Sequence, residues 1–235
     1  MSWKRENIQN EEEFGLHASG RIPVAGYDEI DAAWCLAFMR RVRDCALATI
    51  DADGTPNVRI IDIMMVKDGL PYFLMPRGKA VHAEICANPH VAIVAQTTDY
   101  RTCRLKGVAE RVADEAEHRA LIDEMFEQNP SMNEIYPGEE RYICDAFRIT
   151  RGAGEFFDLG QKPIVRKAFE VGGAPAHEGG FCVMEECTSC GTCVDVCPSQ
   201  CITWDADGLA FIEQRNCLHC GLCYENCPAE AIEKR

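Results

Sequence analysis

Long apolar runs are missing from this 235-residue chain, and no segment approaches the ~20 apolar residues that a membrane span needs. Positive charge is also scarce: 24 Lys and Arg face 38 Asp and Glu, a net charge of −14 at pH 7. That balance argues against nucleic acid and anionic membranes as partners, because both demand basic surface. The opening Met1-Ser-Trp-Lys-Arg-Glu-Asn runs into Glu11-Glu12-Glu13, a solvated acidic face, and not into an apolar stretch. No secretory signal is therefore expected, and the expected location is the cytoplasm. Neither disorder nor a fibrous repeat fits a composition of 47% hydrophobic and 26% charged residues.

What is abundant is cysteine. Ten of the 15 cysteines lie between Cys182 and Cys227, and five are spread over the first 181 residues. An odd, lopsided set is not a disulfide framework. In a reducing compartment such thiols stay free to hold metal.

The chain divides at Val171-Gly-Gly-Ala-Pro-Ala-His-Glu-Gly-Gly180, which has four glycines, one proline and few side chains to pack. The expected plan is a domain over 1–170, a linker over 171–180 and a domain over 181–235. The first region reads as α+β. Asp28 is expected to cap a helix bearing Ile30, Trp34, Phe38 and Val42. Strands are expected at Cys45–Ile50, Asn57–Val66, Leu70–Met75, Val91–Gln96, Arg101–Val112, Phe147–Thr150 and Gly154–Leu159, several joined by Gly- and Asp-bearing turns. Helices are expected at Gly78–Asn88 and at Asp114–Gln128, the latter offering Ala116, Leu121, Ile122 and Met125 for burial. Strands in hairpin order point to an antiparallel barrel with flanking helices.

The second region contains a repeat. Cys187-Thr-Ser-Cys-Gly-Thr-Cys-Val-Asp-Val-Cys-Pro-Ser-Gln-Cys-Ile202 matches Cys217-Leu-His-Cys-Gly-Leu-Cys-Tyr-Glu-Asn-Cys-Pro-Ala-Glu-Ala-Ile232, thirty residues later throughout. Each copy is C-x2-C-x2-C-x3-C-P, the run in which the fourth cysteine ligates the other of two clusters. A cubane cluster needs four thiolates, and three closely spaced cysteines on a tight loop reach three of its corners. Cys187, Cys190, Cys193 and Cys227 are therefore expected on one [4Fe-4S] cluster, and Cys217, Cys220, Cys223 and Cys197 on a second. A pair of zinc sites is the alternative, but zinc motifs use separated C-x2-C pairs without the third cysteine or the Cys-Pro. The segment from Gly180 to Arg235 resembles a bacterial-type ferredoxin with two [4Fe-4S] clusters, a small α+β domain. Cys182 and Cys201 are left over and read as small buried hydrophobes. From Phe181 to Arg235 there are nine acidic and three basic residues, and such negative charge tends to hold a cluster's potential low.

The first 170 residues resemble the pyridoxamine 5′-phosphate oxidase-like family of FMN-binding split barrels. The likeness lies in Cys45-Ala-Leu-Ala-Thr-Ile-Asp-Ala-Asp-Gly-Thr-Pro-Asn-Val-Arg59, Leu70-Pro-Tyr-Phe-Leu-Met-Pro-Arg-Gly-Lys79, Cys86-Ala-Asn-Pro-His-Val91, Lys106-Gly-Val-Ala-Glu-Arg111 and Gly154-Glu-Phe-Phe-Asp-Leu159. It implies FMN held at the interface of a homodimer. It also implies a phosphate contact from Arg59, with Arg77 and Lys79 at a helix start forming a cradle, ring contacts from Ile60, Ile61 and Asp62, and a contact from Thr102. Lys79 lies further ahead of Pro89 than is usual in the family, which leaves open which cation meets the phosphate. The C-terminal Arg segment of the true oxidase is replaced by the linker and cysteine module, which argues against vitamin B6 oxidation. No histidine is patterned, although a haem-linked His in the nitroimidazole-resistance relatives keeps His82 and His90 under consideration.

The union of these parts points to an iron–sulfur flavoprotein oxidoreductase. Electrons would pass between an external one-electron carrier protein, two [4Fe-4S] clusters and FMN, acting on a small organic molecule. The alternatives are a non-enzymatic electron carrier and a redox sensor with a ligand-binding barrel. No general acid is assigned; Tyr100, Tyr136 and Tyr142 offer only a hydroxyl.

Overall fold

The computed structural model describes residues 25–175 and 179–235. His17, His177 and the Glu11–Glu13 run lie outside the described residues. Helix α1 (Ala32–Val42) starts at Asp31, whose carboxylate accepts the Trp34 N–H at 2.7 Å. The expected cap, Asp28, instead sits in a 3-10 turn at Tyr27–Glu29. The four-residue spacing still does its work: Phe38 is buried against Phe156, and Trp34 packs on both rings.

Strands β1 (Asp44–Ile50), β2 (Pro56–Asp62), β3 (Met65–Lys67), β4 (Leu70–Pro76), β5 (His90–Gln96), β6 (Arg101–Arg111), β7 (Cys144–Asp158) and β8 (Val165–Val171) form one antiparallel sheet. Its order is β2-β1-β5-β6-β7-β4-β3, with β8 also on β7. The sheet curls into a half-barrel whose main core holds Leu47, Phe73, Ile93, Leu105, Phe147 and Phe156. Helix α2 (Ala80–Ala87) closes one end. Helix α3 (Glu115–Gln128) is capped by Asp114 and buries Leu121, Ile122, Met125 and Phe126 in a second core with Tyr72 and Ala146.

Three expectations change. The single strand 57–66 is two, because Ile63 and Met64 leave the ladder to bond Arg43 and Tyr72 carbonyls. The two late strands are one continuous β7, pairing β6 along one side while β4 and then β8 share the other. Its run is unbroken because Gly107 and Gly152 face each other where an added Cβ would strike the opposite backbone. Ala116 is exposed on α3, and His118 takes the buried position.

The smaller unit pairs β9 (Phe181–Val183) with β12 (Ile232–Lys234), and β10 (Ile202–Trp204) with β11 (Ala210–Ile212). Two short helices, α4 (Thr192–Val196) and α5 (Leu222–Glu225), occupy repeat-related positions. The repeat extends to backbone strain: Ser189 and His219 have φ of 53° and 56°, and Gln200 and Glu230 of 51° and 52°.

Candidate functional site

The two cysteine runs fold into two cavities. Cys187, Cys190, Cys193 and Cys227 line one small cavity, with Val183, Trp204 and Ile232. Cys197, Cys217, Cys220 and Cys223 line another, with Phe181, Ile202 and Ile212. Each cavity thus draws three cysteines from one repeat and the fourth from the other. Gly191 and Gly221 stand at φ of 85° and 87°, a conformation that favours glycine, and turn each loop into its helix. Backbone N–H groups already point at sulfur: His219 N–H donates to Cys217 Sγ and Ala231 N–H to Cys227 Sγ, both at 3.3 Å. Among the described residues, no three His, Cys, Asp or Glu side chains converge closely enough for a single metal ion. A cluster of several irons asks for the wider spacing.

Cys201 differs from its repeat mate, Ala231. It lies inside the second cavity with Sγ 3.6 Å from Cys197 Sγ. A hydrogen bond from Cys201, opposed by burial and aided by the His219 N–H and the Arg166 charge, brings the Cys217 thiol down to about 6. Cys182 faces Met184 instead, at 3.9 Å between sulfurs.

The second unit is seated on the barrel. Asn216 Nδ2 donates to the Ile164 carbonyl at 2.6 Å and Arg166 Nε to the Cys217 carbonyl at 3.1 Å. Between them opens a cavity of about 610 Å³, floored by Ala46, Ala48, Val58 and Val94 and walled by Arg104 and His219. Burial and the Arg166 charge lower the His219 pKa below its usual value.

The flavin-directed residues do not converge on that cavity. The Arg59 guanidinium is held inside the chain by Glu84 at 2.8 Å and by Thr49. Ile60 is 65% exposed on the outward face, whereas Ile61 is in the core. Asp62 is engaged by Arg43 at 2.8 Å. β2 is nonetheless the end strand of the sheet, so its outer backbone groups are free of ladder bonds. Lys79 is exposed and occupies the N-cap of α2 with no side-chain cap, which leaves first-turn N–H groups open to an anion. Thr102 is half-buried on β6, two residues from Arg104.

Arg77 points elsewhere, into a third cavity of about 400 Å³ lined by Arg111, His118, Arg119, Tyr142 and Asp145. No motif marks this cluster, because its members come from the residue after β4, from α2, β6 and α3, and from β7 and the turn before it. Asp145 is its hub, accepting from His82 Nε2 at 2.8 Å and Arg77 at 3.1 Å, with Arg111 at 3.4 Å. His118 Nε2 is buried 3.4 Å from the same carboxylate, outside hydrogen-bond geometry. Burial works against ionisation of Asp145, but the His82 and Arg77 hydrogen bonds and the Arg111 charge outweigh it and hold the carboxyl below the usual range. Its stabilising contribution is therefore complete above about pH 4 and is lost as pH falls through the lower folded value. We expect Asp145→Asn to cost about 1–3 kcal/mol at neutral pH and to flatten the acid side of the stability curve in urea titrations. An unchanged acid limb would remove Asp145 as the hub.

Of the tyrosines, Tyr142 donates to Asp123 at 2.8 Å under the Arg119 guanidinium, Tyr136 packs beside the second core and Tyr100 is 64% exposed. The His90 ring contacts the Asn88 side chain at 3.0 Å.

An antiparallel half-barrel carrying a twin four-cysteine module defines the class. Residues 34–142 match the pyridoxamine 5′-phosphate oxidase family, and residues 186–232 match the 4Fe-4S dicluster domain. The chain thus carries a pyridoxamine 5′-phosphate oxidase domain over residues 34–142 and a 4Fe-4S dicluster domain over residues 186–232. Among solved structures, it overlaps a NimC/NimA family protein from Clostridium acetobutylicum at a TM-score of 0.52 and 21% identity, covering 60% of this chain and 92% of that one. This likeness shows the fold. A pyridoxamine 5′-phosphate oxidase-related, FMN-binding protein from Nostoc punctiforme overlaps at 0.46 and 15% identity, over 63% and 92%. A heme-binding protein from Mycobacterium smegmatis overlaps at 0.47 and 14%, over 62% and 59%. No helix among the described residues is long and apolar enough to cross a membrane.

Proposed function

We propose that this chain is an iron–sulfur flavoprotein oxidoreductase, passing electrons between an external one-electron carrier protein and a small organic molecule. The observation that carries the reading is the seating of twin four-cysteine cavities on a barrel of this family, through the Asn216 and Arg166 bonds. The donor set fits two [4Fe-4S] clusters: four sulfurs around each cavity, N–H groups aimed at sulfur, and apolar walls. Cys187, Cys190, Cys193 and Cys227 would hold one, and Cys217, Cys220, Cys223 and Cys197 the other.

FMN, when bound, exchanges electrons singly or in pairs. In this chain the outer backbone of β2 from Arg59 to Asp62 offers donors and acceptors to a ring. The uncapped start of α2, with Lys79 at its N-cap, suits a phosphate, while Arg77 stays on Asp145. Arg59 is left to its structural pair with Glu84. Val58 and Ile60 on β2 and Val94 on β5 expose 70%, 65% and 38% of their surface on one sheet face, which supports a homodimer closing there. Thr102 on the same sheet would then face the partner subunit. Vitamin B6 oxidation is not part of the proposal.

Anaerobic purification with iron, sulfide and flavin analysis, together with sedimentation, tests this reading. We expect about eight irons and one FMN per chain in a dimer. About eight irons with no flavin, even after FMN is added, would overturn the flavoenzyme and leave an electron carrier or a sensor. In the loaded protein, Lys79→Ala should weaken FMN binding about tenfold or more, the scale of one charge-assisted hydrogen bond. Unchanged affinity in a fluorescence titration would move the phosphate away from α2.

A further inference from the structure

Basic residues are outnumbered in this chain, 24 to 38, yet three arginines from separate segments meet around the 400 Å³ cavity beside Asp145. Arg77 follows β4, Arg111 ends β6 and Arg119 stands in the second turn of α3. Val112, Ala113 and the Tyr142 ring supply the apolar part of the wall. The volume falls in the range of small-molecule sites.

Each arginine is held in place without being used up. Arg77 and Arg111 each spend one Nη1 on Asp145, at 3.1 and 3.4 Å, and among the described residues their other side-chain N–H donors have no protein partner. A guanidinium carries five donors in a fixed fork, so most of theirs remain. Arg119 sits over the Tyr142 ring at 3.7 Å, and that ring is pinned by the bond from its hydroxyl to Asp123. The ion partner of Arg119 is Glu139, which is 87% exposed, so water screens the pair and a ligand can replace it.

The acids in the wall do not cancel this charge. Asp145 and Glu115 stand against three guanidiniums, and Asp145 is buried while Arg77 and Arg111 keep 46% and 48% of their surface. His118 also lines the cavity, and its side chain is 8% exposed. Its Nε2 turns to Asp145 and makes no hydrogen bond. One positive charge is therefore in surplus before His118 is counted.

We propose that this cavity binds a small organic oxyanion, a carboxylate or phosphate group carried on a compact molecule. Planar forks match the paired oxygens of such a group better than point charges would. The cavity is separate from the flavin phosphate site proposed above: of the residues expected at FMN it contains only Arg77, which is engaged by Asp145. The proposal does not depend on the flavin reading.

The test titrates the full chain, reconstituted anaerobically, with succinate and with inorganic phosphate. Calorimetry is run at constant ionic strength, because exposed charges are screened by salt. We expect saturable binding of at least one probe. Arg111→Ala and Arg119→Ala should each weaken it about tenfold, the scale of one charge-assisted hydrogen bond. Glu115→Gln should tighten it about twofold to fivefold, because the wall loses an opposing charge. A purely structural cluster would give no such gain. Arg151→Ala, at an exposed arginine outside the cavity, should leave binding unchanged. Circular dichroism checks that each variant is folded. No saturable binding of either probe, or equal weakening in Arg151→Ala, would overturn the proposal. Displacement of bound FMN by the probe would overturn it too, by making the cavity part of the flavin phosphate site. If clusters assemble but flavin does not load, the flavin reading falls on its own, and the same titration of the flavin-free chain decides the oxyanion site.

Discussion

Cys227→Ala is expected to remove the same cluster as Cys187→Ala, and Cys197→Ala the same cluster as Cys220→Ala. Each variant should retain about four of about eight irons and lose one EPR component. The pairing is the informative part. In sequence Cys227 is four residues from Cys223, and a reading by proximity would put them on one cluster. In space Cys227 lines the cavity of the first repeat and Cys197 that of the second. The crossing follows from the two Cys-Pro turns, which carry the chain out of one loop and beneath the other, while β9 with β12 and β10 with β11 lock the halves together. The small unit has a thin core of Phe181, Ile202, Ile212 and Ile232 set among the cysteines themselves. Loss of one cluster therefore removes packing as well as iron, and the variants should bleach faster in air than the parent. Loss of the Cys223-type component in Cys227→Ala would refute the crossed assignment.

How far the sequence is legible depends on whether a feature is local. The cysteine runs, the αL glycines and the thirty-residue repeat are local, and they lead directly to two cavities. Capping is nearly local, yet the cap falls three residues beyond the expected one, because Asp28 and Asp31 are chemically alike and Asp28 is taken up in the 3-10 turn at Tyr27–Glu29. β8 has no local signal. Its Val-Arg-Lys-Ala-Phe-Glu-Val sequence alternates only at its end, and it is held by pairing along β7, whose partner residues lie 7 to 19 positions earlier. The Asp145 cluster is illegible for the same reason: His82, Arg77, Arg111 and His118 have no common spacing, and they meet only because α2 and α3 pack beside the β4–β7–β6 register. Arg59 shows the converse. A motif marks it as a ligand contact, but Glu84, one helix away, supplies the opposite charge first.

Phe156→Ala is expected to be the most damaging single change in the barrel, costing about 3–5 kcal/mol. Phe156 is 2% exposed on β7, and its ring meets Trp34 edge-on at 4.9 Å and Phe38 at 5.4 Å. It is the point at which α1 is held to the sheet. Truncation deletes burial, two aromatic contacts worth about 0.5–1.5 kcal/mol each, and leaves a cavity that α1 cannot close, because Asp31 and the Arg40 bond to the Ile63 carbonyl fix both of its ends. The loss should be confined to one of two transitions. The barrel cores and the cysteine-lined core share no buried residue, so heating followed by far-UV circular dichroism should show an early barrel transition while cluster absorbance persists. The junction is polar, built from the Asn216 and Arg166 bonds, and does not transmit a core cavity as two packed apolar faces would. Simultaneous loss of both signals at the lowered temperature would mean that the two units unfold as one, and that the cysteine module depends on the barrel for its fold as well as for its orientation.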